Sequence, residues 1–301
     1  MRVGWIGVGL MGHGAAKNVL EKGHALEVLG NVNRAPVEDL VRRGAREAAS
    51  PRAMAAACDA VFLALPSSVE VERAVFGDDG LLGAARPGFV LVDATTSDPA
   101  STRRIGAALR ARGADMVDAP MSRTPKQAEE GRLASFVGGE RAALERVLPV
   151  ISCYADTVVE TGPLGSAHTI KLLNNFLALA TGAVVGEALA AAMSLGVDLS
   201  VFDAAVRTGG ADSAMYRRFA HWALEGDDSH FQATMRIGEK DLRYYRQMAD
   251  AAELPTAMAD AATQLYRLAS QLGHARQFMP VLPSILASLA DGRERALPRR
   301  E

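Results

Sequence analysis

Lys171 is the residue whose presence packing explains least. It stands between Ile170 and Leu172, in the run Thr161 to Gly196, which otherwise suits burial. Helical spacing puts Asn175 one turn after it and His168 one turn before it, on the same face. Taking a charged amine out of water is costly unless it has partners or a task. Spacing alone leaves two readings open. Lys171 is either a functional amine or a lysine whose stem lies along apolar surface while its head reaches water.

A second chemical signal opens the chain. Gly7-Val8-Gly9-Leu10-Met11-Gly12 follows the apolar run from Val3 to Val8 and precedes helix-forming residues from His13 to Lys22. This is G-x-G-x-x-G between a strand and a helix. Its first glycine permits a tight turn, its second lets the backbone approach a pyrophosphate, and its third allows close helix–strand packing. The alternative is a glycine-rich turn with no ligand. After the next strand, Leu26 to Gly30, NAD-binding chains carry an acid for the ribose. Here the text is Gly30-Asn31-Val32-Asn33-Arg34-Ala35-Pro36, with no carboxylate. Arg34, with Asn31 and Asn33 as donors, suits a 2′-phosphate, so NADP is expected over NAD. A solvated loop arginine is the competing reading.

Three further groups follow strand ends. Leu65 ends one apolar run and Pro66 and Ser67 come after it, and Thr95 and Thr96 come after another. In open α/β sheets ligands bind beyond such ends, which places these residues near the nicotinamide; plain turn chemistry is the alternative. Ala119 to Lys126, which holds Ser122, Arg123 and Thr124, reads as a polar loop.

The elements that position these residues fall into two classes. Short apolar runs at Val3 to Val8, Leu26 to Gly30, Ala45 to Ala48, Ala60 to Leu65, Phe89 to Val92 and Met116 to Ala119 alternate with helical stretches. Leu133 to Val137 reads as a strand, Gly138-Gly139 as a turn, and Glu140 to Pro149 as a helix. This alternation predicts a Rossmann-type, doubly wound parallel sheet. A long Ala- and Leu-rich helix from near Gly165 to Gly196 follows. Only helices come after it: Ser200 to Arg207, Ala211 to Glu225, Arg236 to Ala252, Thr256 to Leu272 and Val281 to Ala290. The expectation is an α/β domain over 1–162, an all-α domain over 163–292 entered through the long interdomain helix, and a flexible tail over 293–301.

Composition narrows the classes. The chain has 301 residues, 49% hydrophobic and 23% charged, with a net charge of −2. That suits a globular protein with a sizeable core and no nucleic-acid partner. Cys58 and Cys153 form no disulfide framework and match no metal spacing, so no metal is expected and a reducing cytoplasm fits. Lys171, two asparagines and Glu187 interrupt the long helix, which argues against a membrane span.

These motifs together resemble the β-hydroxyacid dehydrogenase family over roughly residues 3–290. Gly7 to Gly12 with Asn18 resembles its cofactor motif, with Ala15 where methionine is usual. Asp93-Ala94-Thr95-Thr96 with Pro99 resembles its nicotinamide-side motif. Asp118-Ala119-Pro120-Met121-Ser122, then Gly131 and Leu133, resembles its substrate loop. Gly162, Gly165 and Lys171-Leu172-Leu173-Asn174-Asn175 resemble its catalytic motif, and Lys240-Asp241-Leu242 its second-domain signature.

The resemblance implies an NAD(P)-dependent oxidoreductase acting on a small anionic hydroxy acid or aldehyde. Lys171 is then the general acid/base, Asn175 and Ser122 hold the substrate, and Lys240 closes on the active site. It also implies a homodimer or homotetramer built on the helical domain. Two departures bear on the substrate. Ser122-Arg123-Thr124 replaces the usual Ser-Gly-Gly and resembles the Gly-Arg-Thr of sulfolactaldehyde reductases, so Arg123 and Thr124 are expected to receive an anionic head group; the alternative is an Arg123 that points to solvent or pairs with Glu129 or Glu130. Gln277-Phe278-Met279 stands where relatives carry an acid. Imine reductases share the fold but usually carry Asp or Tyr at the position of Lys171. Non-catalytic NADP-binding relatives tend to lose the lysine.

Overall fold

A computed structural model describes residues 1–30 and 33–292. Asn31 and the expected tail 293–301 therefore lie outside the described residues. The chain divides into two compact units, Met1–Lys171 and Leu172–Glu301. The division falls a little after the expected 162/163 boundary, inside the long helix.

The first unit runs β1 (Arg2–Ile6), α1 (Gly12–Glu21), β2 (Ala25–Leu29), α2 (Ala35–Arg42), β3 (Arg46–Glu47), α3 (Pro51–Ala57) and β4 (Ala60–Leu63). It continues with α4 (Ser68–Phe76), β5 (Val90–Asp93), α5 (Pro99–Arg110), β6 (Asp115–Asp118), β7 (Met121–Ser122), α6 (Pro125–Glu129), β8 (Leu133–Gly139), α7 (Arg141–Tyr154) and β9 (Ala155–Gly162). The sheet order is β3-β2-β1-β4-β5-β6-β8-β7, with β9 paired to β8. Neighbours from β3 to β6 are parallel; β6 and β7 each pair with β8 antiparallel. β1 lies between β2 and β4, so the winding reverses direction there. That is the switch point beside which ligands of such sheets bind.

Strands buried on both faces read as unbroken apolar runs, and Ala60–Leu63 and Val90–Asp93 are buried throughout. Two apolar layers cover the sheet. Trp5, Phe62 and Tyr154 centre one, with Trp5 and Phe62 stacked at 5.2 Å. Leu63, Leu91 and Ile105 belong to the other.

Local structure departs from expectation in four places. The loop at 119–126 contains β7 and α6, and Thr124 caps α6 in a reciprocal capping box with Gln127. Gly138-Gly139 is the end of β8, not a turn. α4 and β9 were not expected at all. β9 is an edge strand with mostly exposed residues, so it lacks the apolar alternation that marks a strand in sequence.

Helix α8 (Ser166–Ser194) continues across the division between the units. It is long and apolar enough to cross a membrane by length and composition. In the second unit, its residues Leu179, Ala183 and Leu189 pack into a core with Phe219, Tyr266 and Leu282. The other helices of that unit are α9 (Leu199–Arg207), α10 (Ala214–Glu225), α11 (Met235–Asp250), α12 (Ala257–Ala269) and α13 (Leu282–Asp291).

Candidate active site and cofactor cleft

The glycine turn divides its three tasks as steric need dictates. Gly7 has φ +98, and a Cβ there would lie 2.2 Å from the Ala64 carbonyl oxygen, so the turn closes against the end of β4. A Cβ on Gly12 would lie 1.9 Å from the Gly7 carbonyl oxygen. A Cβ on Gly9 would meet nothing within 4 Å. Gly9 is therefore not required by the fold, and its bare backbone faces space a ligand can enter. Met11 precedes α1 with no side-chain cap, and the helix has no acid in its first turn. No side-chain cap competes with an anion at this helix start, although the His13 and Ala15 amides already pair with the Gly9 and Met11 carbonyl oxygens.

Gly9, Leu10 and Asn33 line one cavity of about 520 Å³, together with His13, Pro36, Pro125, Lys126 and Glu129. An elongated phosphate-bearing cofactor fits such a cleft, with the Lys126 ammonium at its rim; the His13 ring lies there too, but its nitrogens already pair with Glu129 at 2.8 Å and Asp39 at 3.1 Å. Neither residue was expected. His13 directly follows the third glycine, so its place at the helix start was legible. Lys126 joins the cleft through α6, which sequence did not show.

Arg34 is placed otherwise than expected. Its guanidinium forks onto Glu47, with Nη1–Oε1 and Nη2–Oε2 both 2.7 Å. The hydrogen bonds from Arg34 hold the Glu47 carboxyl below the usual carboxylate range. β3 pairs with β2 and carries Glu47 to this position, so the arginine read as a phosphate receptor already has an anion. Asn33 turns its Oδ1 to the Ala35 amide, 3.3 Å away.

The strand-end loops are braced from within. Thr95 Oγ1 accepts from the Leu65 amide at 3.0 Å, and the Thr95 amide donates to Asp93 at 3.0 Å. Thr95 is thus a buried strut rather than a ligand group, whereas Thr96 beside it is half-buried. Ser67 caps α4 by accepting from the Val69 amide. Just after β4, Leu65 is half-buried and Pro66 is exposed.

Asp118, fully buried at the end of β6, accepts from the amides of Gly165 and His168, both at 2.8 Å. A carboxylate at a helix N-terminus satisfies unpaired amides and opposes the helix dipole. Gly138 makes this possible, because a Cβ there would lie 2.7 Å from Asp118 Oδ1. The turn of α8 that bears Lys171 is anchored in this way, and Lys171 itself is only 8% exposed.

Ser122 is half-buried in β7, opposite Ala134. The two residues after it are committed elsewhere, which corrects their expected role as an anion receptor. Arg123 adopts φ +85, a conformation favouring glycine. Its guanidinium donates to Asp156 at 2.7 Å, to Thr157 Oγ1 at 2.8 Å and to the Arg132 carbonyl. The Thr157 hydroxyl and Arg123 hold the Asp156 carboxyl below its ordinary range. Thr124 spends its hydroxyl on the α6 cap.

In the second unit, Asn175 Nδ2 donates to Asp241 Oδ2 at 2.7 Å, and Lys240 Nζ lies 3.0 Å from Asp241 Oδ1. Lys240 also sits over the Tyr244 ring at 5.5 Å. The second-domain signature therefore gathers on Asp241, a buried carboxylate that sequence marked only as part of a motif. Phe176 stacks on Tyr245 at 4.2 Å next to this group.

Comparison with known proteins agrees with this chemistry. The family described as the NAD binding domain of 6-phosphogluconate dehydrogenase matches residues 2–162. The one described as NAD-binding of NADP-dependent 3-hydroxyisobutyrate dehydrogenase matches residues 165–284. The chain is 31% identical to an NAD-dependent L-serine dehydrogenase of Pseudomonas aeruginosa, covering 94% of this chain and 97% of that protein. It is 29% identical to a 3-sulfolactaldehyde reductase of Escherichia coli, covering 91% and 92%. A crystal structure of 3-hydroxyisobutyrate dehydrogenase from Salmonella typhimurium superposes with a TM-score of 0.83 at 28% identity, covering 95% of this chain and 99% of that one. With a glycine turn open to a dinucleotide and an anchored lysine helix, the chain belongs to the β-hydroxyacid dehydrogenase family, as an NAD(P)-dependent oxidoreductase.

Proposed function

We propose that the protein interconverts a small anionic hydroxy acid and its aldehyde, with NADP favoured and Lys171 as general acid/base. The observation that carries this is the placement of Lys171: an amine almost withdrawn from water, on a helix turn whose amides are tied to Asp118. Bound nicotinamide supplies hydride acceptance or donation. Lys171 takes the hydroxyl proton as the alcohol is oxidised and returns a proton to the carbonyl oxygen in the reverse direction. Withdrawal from water makes an amine release its proton more readily, which suits work near neutral pH. Asp241 fixes the Asn175 amide through Nδ2; the amide's Oδ1, which accepts a long 3.4 Å hydrogen bond from Asn174 Nδ2, keeps a second lone pair for an amine or hydroxyl. Ser122 is the remaining polar contact for substrate on its loop, since Arg123 and Thr124 are occupied.

Gly9, Leu10 and Asn33 hold the cofactor's phosphate-bearing half, with the Gly7 and Gly12 turn around them; Met11, Leu65, Pro66 and Thr96 complete the set in the first unit, and in the second unit Lys240 is the residue that the family's motif assigns to the cofactor. NADP use requires Arg34 to exchange Glu47 for the 2′-phosphate. The activities for which the relatives are named, L-serine dehydrogenase and 3-sulfolactaldehyde reductase, support a small polar or anionic substrate. Exposed Leu173, Leu177 and Val184 on α8 suit a homodimer or higher homo-oligomer. The test is Lys171→Ala, assayed on 3-hydroxyisobutyrate, L-serine and 3-sulfolactaldehyde with both cofactors. Turnover falls about 10²-fold or more while cofactor affinity holds. Near-normal turnover removes Lys171 from the mechanism.

A further inference from the structure

We propose that His168 is a positioning residue that sets the Lys171 turn against the strand-end loops of the cofactor half. The inference rests on Lys171 being the general acid/base. His168 is fully buried, one turn before Lys171 on the same face of α8. Its Nε2 lies 3.0 Å from the Thr95 carbonyl oxygen. A carbonyl only accepts, so Nε2 carries the hydrogen. Its Nδ1 lies 2.7 Å from Thr102 Oγ1 in the first turn of α5. Its own amide donates to Asp118. The carboxylates of Asp93 and Asp118 stand 3.8 and 3.9 Å from the ring nitrogens.

His168 therefore reaches three elements, two through its imidazole and one through its own amide. Through Thr95 it reaches a fourth, because Thr95 Oγ1 also holds the Leu65 amide. Leu65-Pro66 and Thr95-Thr96 are the two loops assigned to the nicotinamide side. The His168 side chain thus ties both loops to the helix bearing Lys171. A core histidine that only filled space would need its two nitrogens satisfied by any partners. Here the partner of Nε2 is the backbone of the loop whose spacing to Lys171 matters for proton and hydride transfer. Misplacement of reacting groups by about 1 Å costs on the order of 10²-fold in rate.

The test exploits side-chain lengths. Glutamine places its amide nitrogen where Nε2 lies and can donate to Thr95. Asparagine reaches only the place of Nδ1, near Thr102. Leucine reaches neither as a polar group. His168→Leu and His168→Asn are expected to lose about tenfold to a hundredfold in kcat. KM and NADPH affinity, read by nicotinamide fluorescence, should change little. His168→Gln restores most of kcat. Amide hydrogen exchange over residues 165–171 should quicken in the Leu and Asn variants and return toward wild type in Gln. In a Lys171→Ala background, His168→Leu should cost nothing further in kcat. Equal behaviour of Gln and Asn, unchanged kcat in Leu, or parallel loss of kcat and NADPH affinity overturns the proposal. A normal kcat for Lys171→Ala alone refutes the acid/base reading instead, so the two failures are separable.

Discussion

Gly7→Ala and Gly9→Ala add the same methyl group two residues apart and should fail in opposite ways. At Gly7 the new Cβ would stand 2.2 Å from the Ala64 carbonyl oxygen, at a φ of +98. Such backbone strain costs about 1–3 kcal/mol in a non-glycine residue, and forcing an atom into a filled space adds about 1–3 kcal/mol. A loss of about 3 kcal/mol or more is expected, enough to threaten the first unit. At Gly9 nothing lies within 4 Å, so stability should stay within about 0.5 kcal/mol, as for surface changes. The methyl instead occupies the approach of the pyrophosphate, and cofactor affinity should fall about tenfold or more, which is about 1.4 kcal/mol.

The protein carries its own reporters for this test. Trp5 is buried in the first unit and Trp222 in the second. In a Trp222→Phe background, urea unfolding followed by Trp5 emission reads the first unit, and NADPH fluorescence titration reads the cleft. If Gly9→Ala binds NADPH like wild type, the pyrophosphate does not pass Gly9. If Gly7→Ala is as stable as wild type, the close contact with β4 is not as described.

Four further outcomes follow from the geometry. Glu47→Gln should tighten NADPH binding more than NADH binding, because it frees Arg34, and Arg34→Asp should weaken NADPH selectively; equal effects on both cofactors would show that Arg34 does not read the phosphate. Arg123→Gly should leave kcat/KM within about twofold, because glycine suits φ +85 and a partly exposed ion pair contributes little; a large loss confined to anionic substrates would restore Arg123 as their receptor. Asp241→Leu should raise KM and lower kcat together by freeing Asn175 and Lys240, read in steady-state kinetics, and an unchanged enzyme would detach Asp241 from the site. Acid stability has a defined sign: the Arg43 hydrogen bond, helped by His13, lowers Asp39 to about 2, and the Ser229 amide lowers Asp227 to about 2. A carboxyl lowered on folding stabilises fully above its unfolded pKa of roughly 4 and loses that contribution as pH falls toward 2. Stability should thus be flat above roughly pH 5 and decline below roughly 4, with Asp39→Asn flattening the decline seen by Trp5 and Asp227→Asn that seen by Trp222.

Much of the fold was legible because its signals are local. The glycine turn announces itself through the spacing of residues that only a strand–turn–helix needs. The buried strands β4 and β5 read as apolar runs because both their faces are covered. Lys171 stood out because a charge in an apolar helix needs a reason. What sequence could not show is where the long side chains of the candidate site end. Arg34 and Arg123 looked available because neither has a carboxylate as a direct chain neighbour, and the nearby acids Glu129 and Glu130 are not the ones Arg123 pairs with.

Their partners, Glu47 and Asp156, lie 13 and 33 residues away and arrive only once β3 pairs with β2 and β9 pairs with β8. β9 gave no warning, since an exposed edge strand has no apolar alternation to read. The anchor of α8 is of the same kind: Asp118 reaches the Gly165 amide across 47 residues because Gly138 leaves it room. Sequence determined which residue types were present for chemistry, because backbone preference and burial act over a few residues. Tertiary structure decided which of them remain available to a ligand, because a charge pairs with whatever opposite charge the sheet brings within about 3 Å.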